Sequence, residues 1–425
     1  MTATPWGDLQ TLCSQRLRPG PGGARDEVER NQRERLFAAT VATVAERGYA
    51  ATRVADVIEV ARISRSTFYR EFESLHDCFV QTLDAIVVGV EAAMLAALEG
   101  ERPWDERLRG SFETLIDLVA AQPAAARLCF VEAYVAGPEA VARIDRTARA
   151  VGRRVLAVVA ESPERADMPR EVAGAVLGGL RTVIQVRLYT GRERELPGLA
   201  PQLMDWALGY RTPPVALPRP RRRPAAPPGP VRDSLDPRQR IVDALTAVVA
   251  QRGYGGTTIT EIADFAEISL STFYGRFENK EAALLAAFDD AMLRMLEVGL
   301  PAYRQAEDWA QGVRDGIETL LAYLSHEPDT AELAAQAVWA GGPPAVTRIE
   351  ESMSGFRALL AEGLRGRSGA SGVAAEAIGA SILALGYDHL ARRGPKRLYQ
   401  IAPTAAFVAL APAIGTLEAC TVVTT

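Results

Sequence analysis

The chain repeats itself at the length of a whole domain. Ile63-Ser64-Arg65-Ser66-Thr67-Phe68-Tyr69-Arg70-Glu71-Phe72 returns as Ile268-Ser269-Leu270-Ser271-Thr272-Phe273-Tyr274-Gly275-Arg276-Phe277, an offset of 273 − 68 = 205 residues. A Gly-Tyr pair precedes each copy, at Gly48-Tyr49 and Gly253-Tyr254. The match continues far downstream at the same offset. Trp104 pairs with Trp309, Glu113-Thr114-Leu115 with Glu318-Thr319-Leu320, Pro123 with Pro328, and Gly137-Pro138 with Gly342-Pro343. Solenoid units repeat every ~20–50 residues, so this period is a domain, not a solenoid unit. Two copies of one domain stand in tandem.

A chain of 425 residues holds two domains of roughly 200 residues, each able to bury its own core. Ala, Leu, Val, Arg and Glu dominate and alternating runs are few, which predicts an all-α fold. Leu36, Ala39, Thr40, Thr43 and Val44 share one face of a helix over about Glu27–Glu46, and Gly48 stops it. A short helix follows over Val54–Val60. Ser64 is an N-cap for a third, carrying Arg65 to Tyr69. In the second copy Thr258 and Glu261 make a capping box. Two short helices joined by a tight turn are the helix-turn-helix pattern. The expected layout is a flexible basic arm over 1–26, a three-helix head over 27–80 and a helical body over 81–211. A Pro/Arg-rich linker over 212–236 leads to a second head over 237–285 and a second body over 286–416. The linker is expected to be extended, at about 3.1 Å per residue.

Other chemistries find little support. Cys13, Cys78, Cys129 and Cys420 are too scattered for a zinc motif, and read as reduced thiols of a cytoplasmic protein. His76, His326 and His389 show no metal or catalytic spacing. Phosphate-binding loops, dinucleotide glycine motifs and nucleophile elbows are missing. No catalytic group, metal or cofactor is therefore expected. No leader peptide and no unbroken membrane-spanning run is read from the sequence. The net charge of −5 gives no global signal for nucleic acid, yet a local basic face suffices for binding.

Each head resembles the DNA-binding domain of the tetracycline-repressor (TetR) family. The second copy matches through Gly253-Tyr254, Thr258-Ile259-Thr260-Glu261-Ile262-Ala263, Ile268-Ser269, Thr272-Phe273-Tyr274, Phe277 and Lys280-Glu281. The first matches through Gly48-Tyr49, Val54, Ile63-Ser64, Thr67-Phe68-Tyr69 and Phe72. It departs at Arg53, where the family has Thr, and at Leu75-His76, where the family has Lys-Glu. The residues themselves place Arg65, Ser66, Leu270 and Ser271 at the exposed start of the reading helix, which enters the major groove. An Arg there suits guanine; a Leu meets only a thymine methyl. Thr52 and Thr257 precede the second helix, where hydroxyls and free N–H groups can hold a phosphate. Arg53, Ser64, Thr67, Arg70, Thr258, Ser269 and Thr272 complete the expected DNA-facing set. Tyr69 and Tyr274 are either half-buried aromatics or, as the resemblance implies, hydroxyls on phosphate. Lys280 resembles the family's phosphate-contacting lysine.

The resemblance implies a double-stranded operator, a small-molecule effector in the body, and pairing of bodies through their last two helices. Here one chain carries both bodies, so an intrachain pseudo-dimer is expected. Arg170–Thr190 and Pro201–Leu208 should pack against Ala374–Leu390 and Pro403–Ala411, with further homodimerisation open. Trp104, Phe112, Trp309, Tyr323 and Trp339 are core residues or pocket walls. Glu132, set among aromatics, is a pocket polar group or an exposed one. In the alternative reading only one head binds DNA and the other unit serves as a structural or partner-binding module.

Overall fold

The computed structural model describes residues 3–14, 25–227, 236–334, 342–365 and 372–425. These residues are mostly helical. The one sheet among them is an antiparallel hairpin of β1 (Ala3–Thr4) and β2 (Gly7–Asp8). The helices gather into two units. One comprises Met1–Val159 and Arg187–Ala200; the other comprises Ala160–Val186 and Pro201–Thr425. The division does not follow the sequence repeat, because the closing segments of the first copy belong with the second copy.

In the first unit, α1 (Leu9–Ser14) is followed by α2 (Arg25–Arg47), α3 (Val54–Ala61) and α4 (Arg65–Glu71). The body then runs through α5 (Leu75–Ala97), α6 (Trp104–Ala121), α7 (Pro123–Arg127), a π-helical turn over Leu128–Glu132, α8 (Ala133–Ala136) and α9 (Pro138–Val159). Leu36, Phe37, Val57, Ala61, Phe68, Phe72 and Cys78 form the head core. Val41, Val44, Phe79, Leu83, Ile86, Leu128 and Ile144 form the body core. Both cores draw on α2 and α5, so these two helices carry the head on the body. By length and composition α5 is apolar enough to cross a membrane. Asp77, Asp84 and Glu91 interrupt its apolar run. Its Phe79, Leu83 and Ile86 are buried in the unit's own core.

The stretch expected to be a flexible arm is folded over Ala3–Ser14. Trp6 lies 5.1 Å from Phe37 between ring centroids. Cys13 is buried and its thiol lies 3.6 Å from the Val60 carbonyl. Half-buried Trp6 and buried Cys13 offset part of the cost of ordering the segment.

The second unit takes residues 170–186 of α10 (Arg170–Tyr189) and 201–208 of α11 (Leu196–Leu208). Its head holds α12 (Pro237–Gly256), α13 (Ile259–Phe265) and α14 (Leu270–Tyr274). Its body holds α15 (Lys280–Gln305), α16 (Trp309–His326), α17 (Pro328–Glu332), α18 (Gly342–Leu364), α19 (Gly372–Arg393), α20 (Ala402–Ile414) and α21 (Thr416–Thr424). At the α10–α19 crossing only glycine fits. A Cβ on Gly179 would stand 2.1 Å from Ser381 Oγ and 2.9 Å from the Ala377 carbonyl, and one on Gly178 would stand 2.5 Å from Ala384 Cβ. The Tyr210 hydroxyl, buried, donates to the Val408 carbonyl at 2.7 Å.

The described part of the linker, up to residue 227, has no regular secondary structure and is strapped down. Arg223 donates to the Ser325 carbonyl at 3.2 Å, His326 Nε2 meets the Pro224 carbonyl at 2.9 Å, and the Tyr399 hydroxyl donates to the Arg221 carbonyl at 3.4 Å. Arg219 pairs with Glu171 at 2.6 Å.

Candidate nucleic-acid interface

The reading helices start alike. The Ser64 hydroxyl accepts the Thr67 N–H at 3.1 Å, and the Ser269 hydroxyl accepts the Thr272 N–H at the same distance. Both serines are N-caps, as their sequence position predicts. Ahead of α13 the capping box closes, Glu261 N–H to Thr258 Oγ1 at 3.2 Å and Thr258 N–H to Glu261 Oε2 at 2.9 Å. The Glu261 carboxyl falls below its usual pKa, chiefly through the Thr258 backbone bond. Ahead of α3 only the return half forms, Arg53 N–H to Asp56 Oδ2 at 2.8 Å.

The turn between the two short helices is left-handed at a non-glycine residue in both copies, Arg62 at φ 53° and Glu267 at φ 52°. That conformation costs roughly 1–2 kcal/mol for an L-residue. Sequence reasoning passed over what holds it. Arg35, 2% exposed, donates to the carbonyls of Ala61 at 2.5 Å and Arg62 at 2.7 Å. Arg240 makes the same pair of bonds, to Ala266 and Glu267. The signal was available: 240 − 35 = 205, the repeat offset. Arg35→Leu should therefore lower stability by about 2 kcal/mol, since the buried Ala61 carbonyl and the part-buried Arg62 carbonyl both lose a charged donor, and a hydrogen bond to a charged group is worth ~1.5–3 kcal/mol. Arg240→Leu should cost less, because Arg240 and the Glu267 end of its turn are more exposed. Urea unfolding of the two variants checks both; equal losses would refute the difference.

The exposed surface of the first reading helix carries Arg65, Ser66, Tyr69 and Arg70; that of the second carries Leu270, Ser271, Tyr274 and Gly275. The Arg65 guanidinium lies 5.7 Å from the Tyr69 ring centroid. Tyr69 and Tyr274 set a ring edge on Phe68 and Phe273, yet remain 47% and 57% exposed. Arg70 is held by Gln32 at 2.7 Å and Glu71 at 3.1 Å. Thr67 and Thr272 turn their hydroxyls to Ser64 and Ser269 at 2.8 and 2.9 Å. Arg53 and Thr258 are exposed beside these helices.

Thr52 and Thr257 do not fit the phosphate-holding role. Both are buried, and their hydroxyls donate to the carbonyls of Gly48 at 2.8 Å and Gly253 at 2.9 Å. Their N–H groups are taken by the carbonyls of Tyr49 and Tyr254. They lock the corner instead. Lys280 also works there, donating to the carbonyls of Tyr254 at 2.9 Å and Thr257 at 2.7 Å and lying 4.3 Å from the Tyr254 ring centroid. Partial burial lowers its ammonium pKa.

The first head, with Leu75 in place of the lysine, holds its corner differently. Tyr49 N–H donates to Glu132 Oε2 at 2.8 Å, and the Tyr49 hydroxyl meets His76 Nδ1 at 3.0 Å. His76 Nε2 lies 3.3 Å from Glu139. Glu132 is thus a buried tie between body and head, neither an exposed group nor a pocket wall. Burial raises its pKa, against the Tyr49 bond and the Arg127 charge. Phe112 and Tyr323 are core, and Trp309 Nε1 donates to the Leu359 carbonyl at 2.9 Å. Trp339 lies outside the described residues. Trp104, Phe112, Glu132, Trp309 and Tyr323 line neither the cleft of about 490 Å³ in the first unit nor the one of about 30 Å³ in the second.

Two segments, 36–81 and 241–287, match the family of bacterial regulatory proteins described as the tetR family. The chain is 26% identical over 145 residues to the HTH-type transcriptional activator FasR of Mycolicibacterium smegmatis, a match covering 32% of this chain and 64% of that protein, under two thirds of its length. Two solved structures are similar over 41% of this chain. One is the transcriptional regulator FadR from Bacillus subtilis in complex with stearoyl-CoA, with a TM-score of 0.38, 14% identity and 96% of that chain covered. The other is the fatty acid degradation regulator FadR from Bacillus halodurans, with a TM-score of 0.38, 16% identity and 97% covered.

Proposed function

We propose that this chain, which belongs to the TetR family of bacterial regulatory proteins and carries two of its units in tandem, is a sequence-specific transcription regulator with both DNA-reading heads of a pseudo-dimer in one polypeptide. The carrying observation is the pair of reading helices. They share caps, turn geometry, an exposed serine and an exposed tyrosine, and differ at the exposed pairs Arg65/Leu270 and Arg70/Gly275, which would face a major groove. Pairing within the chain is supported by the first copy's closing helices, which pack with α19 and α20 of the second copy through Gly178, Gly179 and Tyr210. An effector bound in the body would act by changing the operator affinity of the heads. Operator occupancy excludes other proteins from that DNA, so repression is the direct consequence; because FasR is named an activator, the sign is read from a promoter–reporter.

Selection of bound sequences from a random duplex pool at fixed salt tests this reading, followed by native mass measurement of the complex. Two half-sites should emerge on one DNA face, about 34–36 Å apart or a multiple of that, with one chain per minimal site. Lack of any enriched sequence would remove DNA reading. A single enriched half-site would leave one reading head, and two chains on every minimal site would place the pairing between chains.

A further inference from the structure

A cleft of about 490 Å³ opens in the first unit between α1, α2, α3 and α7. Leu9, Ala42, Val60 and Ala124 give it apolar walls, and Thr43 and Glu46 give it two polar groups. The volume suits a small organic molecule. Thr43 is 2% exposed, and its hydroxyl has no hydrogen-bond partner. Helical threonines nearby satisfy themselves on the preceding turn, as Thr40 does on the Leu36 carbonyl at 2.8 Å. Thr43 does not, and a buried hydroxyl left unpaired costs stability.

The second copy shows that the fold does not need this group. At the repeat offset Val248 replaces Thr43 and is buried, Gln251 replaces Glu46, and Phe265 replaces Val60. The first copy keeps a destabilising hydroxyl, a carboxylate at the rim and a smaller wall residue, all lining one cleft. We propose that this cleft is a ligand site, and that it takes a small amphipathic amine. Its alkyl body would lie on Leu9, Val60 and Ala124, an N–H would reach the Thr43 hydroxyl, and the ammonium charge would face Glu46. An anion is disfavoured by the same carboxylate. Thr43 and Val60 lie on head helices and Ala124 on a body helix, so an occupant bears on both. That consequence rests on the regulator reading; the binding does not.

The experiment is calorimetric titration of the full chain with n-octylamine, n-octanol and octanoate. Octylamine should bind at one site per chain and octanoate should not. Glu46→Gln and Thr43→Val should each weaken octylamine roughly tenfold, the worth of one lost charge-assisted bond, and Val60→Phe should abolish binding by filling the cleft. All three substitutions copy the second unit. Without ligand, Thr43→Val should melt no lower than the parent chain. Absence of octylamine binding, octanoate binding as tight as the amine, or binding indifferent to all three substitutions overturns the proposal. Operator affinity is measured separately: a chain that binds octylamine at this site but no DNA would sink the regulator reading and leave the site standing.

Discussion

Gly179→Leu should destabilise the second unit by about 3 kcal/mol, at the upper end of what overpacking a close-packed site costs. The first added carbon already meets Ser381 Oγ at 2.1 Å and the Ala377 carbonyl at 2.9 Å. Ser381 is fully buried and bonded to that same carbonyl at 2.8 Å, so no flexible side-chain end can swing aside. The strain must be relieved by parting α10 from α19. Gly174, on the same helix, meets nothing within 4 Å. Gly174→Leu therefore serves as the control, and should be neutral or slightly stabilising because glycine costs a helix roughly 0.5–1 kcal/mol. Urea unfolding separates the two, and hydrogen exchange over 170–186 shows whether the helix has come away. Should α10 detach, each chain exposes a surface that a second chain can fill, and native mass should show dimers. An unchanged midpoint for Gly179→Leu would mean that the crossing does not hold the closing helices of the first copy on the second.

The periodic and capped parts of this chain were readable because their causes are local. Ser64, Ser269 and the Thr258–Glu261 box act within three residues of themselves, and the repeat marked them twice. The groups that were passed over or misread act across long separations. Arg35 reaches a turn 26 residues away, and Glu132 reaches Tyr49 across 83; a charged residue on a helix gives no local hint of such a partner. Thr52 and Thr257 were placed correctly at the corner but given the wrong task. A hydroxyl ahead of a helix can serve a phosphate or the preceding carbonyl, and burial decides between them. The linker's straps depend on Tyr399 and His326, which carry no linker signal of their own. The break between units fell inside the first copy because a repeat reports ancestry, whereas packing reports which apolar faces need covering.

Leu270→Arg should convert the preference of the second half-site toward that of the first. The substitution makes the two reading helices identical from Ile to Tyr, Ile63–Tyr69 against Ile268–Tyr274. The local frame already matches: the same serine cap, the same left-handed turn and an exposed tyrosine four residues on. An arginine at 270 therefore finds the ring seat that Tyr69 gives Arg65, and presents its guanidinium from an equivalent position. Leucine offers apolar contact to a thymine methyl, whereas arginine makes a two-pronged bond to guanine, so one base position should change preference by about 1–3 kcal/mol. For the parent chain the operator should be asymmetric, since its symmetry mirrors that of the reading heads. Affinities at fixed salt for the selected site and its two symmetrised forms decide the matter. The parent should favour the asymmetric site over both, and Leu270→Arg should gain on the form built from two first-head half-sites. Position 275, Gly against Arg70, still differs, but Arg70 is held by Gln32 and Glu71, so position 270 should carry most of the change. If the parent binds either symmetrised site as tightly as the selected one, the heads do not read different sequences. If Leu270→Arg gains nothing on the first-head palindrome, position 270 does not touch a base edge.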